Sequence, residues 1–293
     1  MNRISNKFIV SLAMMLALMP LLHAQEAKKV TYANKAQIED FFNSKTLVVM
    51  DADAFSGFNH EISSIMEKYW TITPYEIIPS NQFDKKRNDP KQSFILLSKV
   101  QLKKDKKEVY YLYLDVVMGS KLKDLTSMPV LLSLPLAYTG VDEDDYLEKL
   151  PLMIRFAQVH VNNLKTAKNP QPLYNLKNYS DEAKVLKDKT LLVKETDLAE
   201  EVNTLEKIQK EYPGKVKIVE SEEIMKAIEE KTPDTAVLHQ LGPAEDENSG
   251  RSYCQVFGVD DAKLYYYNFQ NITQRRPVGM LARDFRLILG KWF

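Results

Sequence analysis

The chain contains one cysteine, Cys254, and therefore no internal disulfide. Its 9 glycines form no spaced set of the kind that cradles phosphate, and no Gly-x-Ser-x-Gly elbow occurs. Histidine is scarce: beyond His23 there are only His60, His160 and His239, with no pair at helical ligand spacing, so a histidine zinc site has no local signature. The 40 basic side chains balance 40 acidic ones, which argues against a general nucleic-acid binder. Past the first twenty or so residues, the longest apolar run is Met128 to Tyr138, broken by Pro129, Ser133 and Pro135. That run is too short for a membrane helix, which takes about 20 residues.

What is present begins with a secretory pattern. Arg3 and Lys7 precede an apolar run from Phe8 to Met19, and Leu22-His23-Ala24 offers a cut ahead of Gln25. No cysteine lies in or just after the leader, so the expected product is not a lipoprotein. It is a soluble periplasmic or secreted protein with no transmembrane segment once the leader is gone. Removing Arg3 and Lys7 leaves 38 basic against 40 acidic side chains. With 44% hydrophobic residues the chain has ample material for a core without covalent staples.

Lys45-Thr46-Leu47-Val48-Val49 and Lys189-Thr190-Leu191-Leu192-Val193 say nearly the same thing, and the elements around them recur in the same order. The expected division is a leader at 1–24, a first domain at 25–165, a Pro- and Asn-rich linker at 166–180, and a second domain at 181–293. The expected fold is α/β (α+β): two tandem copies of a helix-flanked mixed sheet, in the order α-β-α-β-(α)-β-β-β-α, each with its own core. Continuous apolar runs such as Thr46 to Met50 suit strands covered on both faces, and the stripe Phe58, Ile62, Ile65, Met66, Tyr69 suits a helix. In the second copy, Asp197 and Glu200 read as a capping box opening a helix. The order is similar to that of small α/β modules of bacterial envelope proteins, among them the amino-terminal domain of the TolB translocation protein, by topology and not by any shared motif.

Chemistry is sparser. Leu47-Val48-Val49-Met50-Asp51-Ala52-Asp53, a strand ending in Asp-x-Asp, resembles the first motif of the haloacid-dehalogenase-like phosphatases. The resemblance implies Asp51 as nucleophile, Asp53 as acid/base and a magnesium ion, with Asp142-Glu143-Asp144-Asp145 as a metal-holding segment. The following Ala54-Phe55 departs from that family, and both carboxylates also suit a loop that precedes a helix. His239 and Cys254 would form a Cys–His pair if their strands placed them side by side. Tyr111 and Tyr113 alternate onto one strand face, and Tyr265 and Tyr267 onto another; such faces stack on sugars or grip peptides when exposed. Between matched strands the first copy has Lys103-Lys104-Asp105-Lys106-Lys107 and the second Glu245-Asp246-Glu247, both read as solvated hairpin loops whose opposite signs could draw copies or neighbouring molecules together. The sequence thus favours a non-catalytic envelope or secreted protein that binds a protein, peptide or glycan partner and needs no cofactor. The metal-dependent phosphohydrolase is the alternative.

Overall fold

A computed structural model describes residues 30–101, 110–122, 125–243 and 250–291. The leader and the charged segments at 103–107 and 245–247 lie outside the described residues.

In the first module, α1 (Lys35–Phe42) opens with a reciprocal capping box. Asn34 Oδ1 accepts from Gln37 N, and Gln37 Oε1 accepts from Asn34 N, both at 3.0 Å. β1 (Lys45–Val49), α2 (Gly57–Tyr69), β2 (Tyr75–Ile78) and the short α3 (Phe83–Lys86) follow. Then come β3 (Gln92–Gln101), β4 (Tyr110–Met118), β5 (Val130–Tyr138), the single turn α4 (Asp144–Leu147) and α5 (Leu150–Thr166). Pro151 begins α5 as its second residue, where its missing N–H costs nothing.

The second module starts from a 3₁₀ coil at Leu176–Asp188 and runs β6 (Thr190–Val193), α6 (Leu205–Glu211), β7 (Lys215–Ile218) and α7 (Ser221–Glu230). It closes with β8 (Thr235–Leu241), β9 (Arg251–Gly258), β10 (Leu264–Asn271) and α8 (Ala282–Ile288).

The sheets have one topology. The first orders its strands β2-β1-β3-β4-β5 and the second β7-β6-β8-β9-β10. In each, the leading strand pairs parallel with both neighbours, while the last three strands form an antiparallel meander. The two halves are copies of one mixed α/β module. Among the described residues no helix is long and apolar enough to cross a membrane.

The expectation of two separate cores is corrected. One face of the second sheet, with Leu191, Val193, Ala236, Leu238 and Val256, packs beneath Ile208 and Phe285 in a core of its own. The far face of the first sheet likewise gathers Leu47, Val49, Phe94 and Val117 around Met128. The largest core spans both modules: Leu192, Val237, Tyr253 and Phe257 join Val48, Leu114, Leu134 and the α5 side chains. The reason is α5. Its buried residues run around its whole circumference, from Leu150 through Arg155, Phe156 and Gln158 to Leu164, which marks a helix covered on all sides. Phe156 meets Phe257 edge-on at 5.3 Å, and the Arg155 guanidinium donates to the carbonyls of Val259 and Asp260, each at 2.8 Å. The segment expected as the linker is packed: Tyr174 stacks on Tyr32 and donates to the Ala33 carbonyl at 2.6 Å.

Two local expectations fail in the second module. The lead helix expected at Asp181 to Leu186 is wound as 3₁₀. Asp197 caps no helix: α6 starts only at Leu205, capped by the Thr204 hydroxyl, and Asp197 is buried in a short turn instead. Burying that carboxylate among lysines overrides the local capping pattern.

Candidate functional site

The sequence-named residues separate into three places. Asp51 and Asp53 lie on the loop leaving the carboxyl end of β1, between the two parallel neighbours of that strand, where open α/β sheets place their ligands. Each carboxylate gives one oxygen to the loop itself. Asp51 Oδ1 accepts from Asp53 N at 2.8 Å and Asp53 Oδ1 accepts from Phe55 N at 2.9 Å. Asn59 holds the same loop, accepting from Asp51 N at 2.7 Å and donating to the Asp53 carbonyl at 2.7 Å. The acidic segment does come close: Glu143 accepts from Gly57 N at 2.6 Å and from the Ser56 hydroxyl at 3.2 Å, capping α2. Among the described residues no three acidic, histidine or cysteine side chains are arranged to hold a metal, so this donor set does not fit the magnesium ion implied by the phosphatase resemblance.

Tyr111, Tyr113 and Tyr267 lie at the junction of the modules, Tyr265 does not, and none of the four is exposed. Tyr111 is fully buried, edge-on to Tyr138 at 5.2 Å and to Tyr253 at 5.8 Å. Its hydroxyl accepts from Arg251 N at 2.5 Å. Tyr113 and Tyr253 meet hydroxyl to hydroxyl, and burial pushes the Tyr113 phenol well above its ordinary pKa. Tyr265 and Tyr267 do not share a face. A bulge between Leu264 and Tyr266 breaks the alternation, sending Tyr265 into the second module's own core and Tyr267 into the shared one. His239 and Cys254 also part company: His239 pairs with Gln255 and Cys254 with Gln240, so the imidazole and the thiol project from opposite faces of the sheet. No Cys–His nucleophile forms.

What sequence reading missed is the junction itself. β5 is the edge strand of the first sheet, and Pro135 suits an edge because it has no N–H to leave unpaired. Its outward carbonyls accept from the second module: Gln255 Nε2 reaches Pro135 O at 2.7 Å and His239 Nε2 reaches Leu136 O at 2.9 Å. Beside them lies a buried charge cluster. Glu148, between α4 and α5, is held by Lys149 at 2.7 Å and by Lys194 at 3.0 Å. Lys149 also stands 3.6 Å from Asp197, and Lys194 3.2 Å from Asp145. Burial dominates at Asp197 and raises its pKa despite the lysines, whereas at Glu148 the two ammonium groups prevail and lower it. The turn carrying Asp197 is pinned by Met280, whose N–H donates to Asp197 O at 2.9 Å and whose carbonyl accepts from Ala199 N at 3.0 Å. Gly279 permits that approach, since its φ is +107° and a Cβ there would lie 2.7 Å from Ala199 N.

Two concavities open at this junction. A cavity of about 180 Å³ sits at the carboxyl ends of β6 and β8, bounded by Thr196, Asp197, His239 and Gly242 from one module and by Leu136 and Asp145 from the other. A groove of about 680 Å³ runs between α2 and α7. Its floor is apolar, with Ile65, Leu147, Pro151, Met225 and Ile228, and Met225 is 45% exposed. Its rim is acidic: Glu61, Asp144 and Glu222 line it, and its one lysine, Lys68, is taken by Glu229 at 2.7 Å across the two modules. No protein-family model, curated protein or solved structure matches this chain.

Proposed function

We propose that this is a non-catalytic bacterial envelope or secreted protein that binds a cationic, amphipathic peptide segment of a partner protein in the groove between α2 and α7. One observation carries the reading: an apolar floor bordered by Glu61, Asp144 and Glu222, which no lysine or arginine among the described residues neutralises, whereas Glu229 and Glu148 are already paired. The floor offers area for aliphatic side chains, and the rim attracts lysine or arginine and repels acidic competitors. Both modules contribute walls, so the duplication creates a cleft that neither copy has alone. Secretion, read from Arg3, Lys7 and the apolar run after them, would place the groove where extended peptides are met.

The test is fluorescence anisotropy with two labelled peptides of equal length, one alternating Leu and Lys, the other Leu and Glu. The Leu-Lys peptide is expected to bind, with affinity falling as salt rises. Glu222→Lys with Asp144→Lys, both at exposed positions, should reduce that binding by about tenfold or more, roughly 1.4 kcal/mol. Equal binding of both peptides, or indifference to the double substitution, would remove the groove as the site.

A further inference from the structure

We propose a second, independent site: the cavity at the carboxyl ends of β6 and β8 binds a small primary amine through its ammonium group. The cavity occupies the switch point of the second sheet, where β6 has parallel neighbours on both sides. Beside hydroxyls of Tyr146 and Thr196, its lining holds two acceptors with no hydrogen-bond donor. His239 is 1% exposed, and its Nε2 lies 2.9 Å from the Leu136 carbonyl, which can only accept, so Nε2 carries the proton and Nδ1 presents a lone pair. That Nδ1 has no hydrogen-bond partner among the described residues, and Oδ2 of the buried Asp197 has only the Lys149 ammonium at 3.6 Å, beyond hydrogen-bond reach. A buried acceptor without a donor costs about 1–3 kcal/mol, and a ligand bearing N–H groups relieves that cost at two atoms together.

Charge selects the kind of donor. Asp197 and Asp145 line the cavity and no lysine or arginine does so; Lys149, 3.6 Å from Asp197, and Lys194, 3.2 Å from Asp145, also share the Glu148 carboxylate, so three carboxylates stand against two ammonium groups. That excess of one carboxylate disfavours an anion and favours a cation. A divalent metal needs a set of ligands that the described residues do not assemble here, whereas an ammonium group needs only acceptors. Leu136, Val141 and Leu241 give the rest of the cavity apolar walls for a hydrocarbon body. Its volume lies below the roughly 300 Å³ at which drug-sized sites begin, so the ligand has the size of a short alkylamine.

The experiment titrates the full mature chain with n-butylammonium chloride, n-butanol and sodium butyrate, followed by backbone amide NMR. Saturable shifts at Thr196, Asp197, His239 and Gly242 are expected with butylammonium alone. Asp145→Asn, at a side chain 58% exposed, should weaken binding severalfold with an unchanged melting temperature, and Asp197→Asn should weaken it by about tenfold. Absence of saturable shifts at those amides, equal shifts from butanol or butyrate, or unaltered affinity in both variants would overturn the proposal. None of these outcomes bears on peptide binding at the α2–α7 groove.

Discussion

The hydroxyls of Tyr113 and Tyr253 meet at 3.0 Å across the two modules, one from β4 and the other from β9. The pair marks the junction as interior, because Tyr253 is 1% exposed and packs against Tyr111 as well. Truncation there should be felt by both halves. Tyr253→Ala is expected to cost about 3–5 kcal/mol, as for other large buried aromatics, and Tyr253→Phe about 1 kcal/mol for the lost hydroxyl contact.

The shared core also predicts cooperative unfolding. Trp70 is buried in the first module, while Phe257 belongs to the second. In a Trp292→Phe background, where Trp70 is the sole indole, Phe257→Ala should lower the urea midpoint reported by Trp70 fluorescence. Modules that melt independently would leave that midpoint in place.

Lys149 is 2% exposed at its side chain and bridges Glu148 to Asp197. Lys149→Met strands one carboxylate in the interior and should destabilise the chain by about 3–5 kcal/mol in chemical denaturation. A loss below about 1 kcal/mol would mean that water reaches the cluster.

Acid should weaken the fold through its buried imidazoles. His160 lies between the Tyr179 hydroxyl at 2.8 Å and the Leu131 carbonyl at 2.9 Å, and burial pushes its pKa down to about 4. The unfolded imidazole takes up its proton near 6.5 and the folded one not until about 4, so the contribution is whole above pH 6.5 and drains away as pH falls toward 4. Between pH 7.5 and 4.5 the loss from His160 is about 2–3 kcal/mol. His239 shifts in the same direction, and the raised Asp197 pKa works in the opposite one. The difference between wild type and His160→Gln across that range isolates the imidazole: the variant should show a shallower fall.

The Asp51 loop yields an enzymological expectation. Because Asp51 and Asp53 hold main-chain N–H groups of their own turn, wild type and Asp51→Asn should hydrolyse p-nitrophenyl phosphate with magnesium at the same background rate. A wild-type rate above that of the variant would restore the phosphohydrolase reading.

Much of the architecture was legible because it is written in local periodicity. The apolar run after Lys45, the stripe from Phe58 to Tyr69 and the proline at 151 each act within a few residues, and the elements form where those signals place them. The junction was not legible, because what fixes it is long-range. Asp-x-x-Glu at 197 to 200 is a sound capping signal until Lys149, some fifty residues earlier, offers the carboxylate a buried partner. Tyr265 and Tyr267 alternate on paper, and one bulged residue reverses the outcome. Nothing near Leu136 shows that its carbonyl will serve an imidazole a hundred residues away.

The all-round burial of α5 bears on whether either half can stand alone. A solitary module would leave bare the sheet surface that now carries Tyr253 and Phe257, along with the outer side of its closing helix. Such a unit needs a twin to cover it, so either half expressed alone is expected to self-associate or to lose its fold.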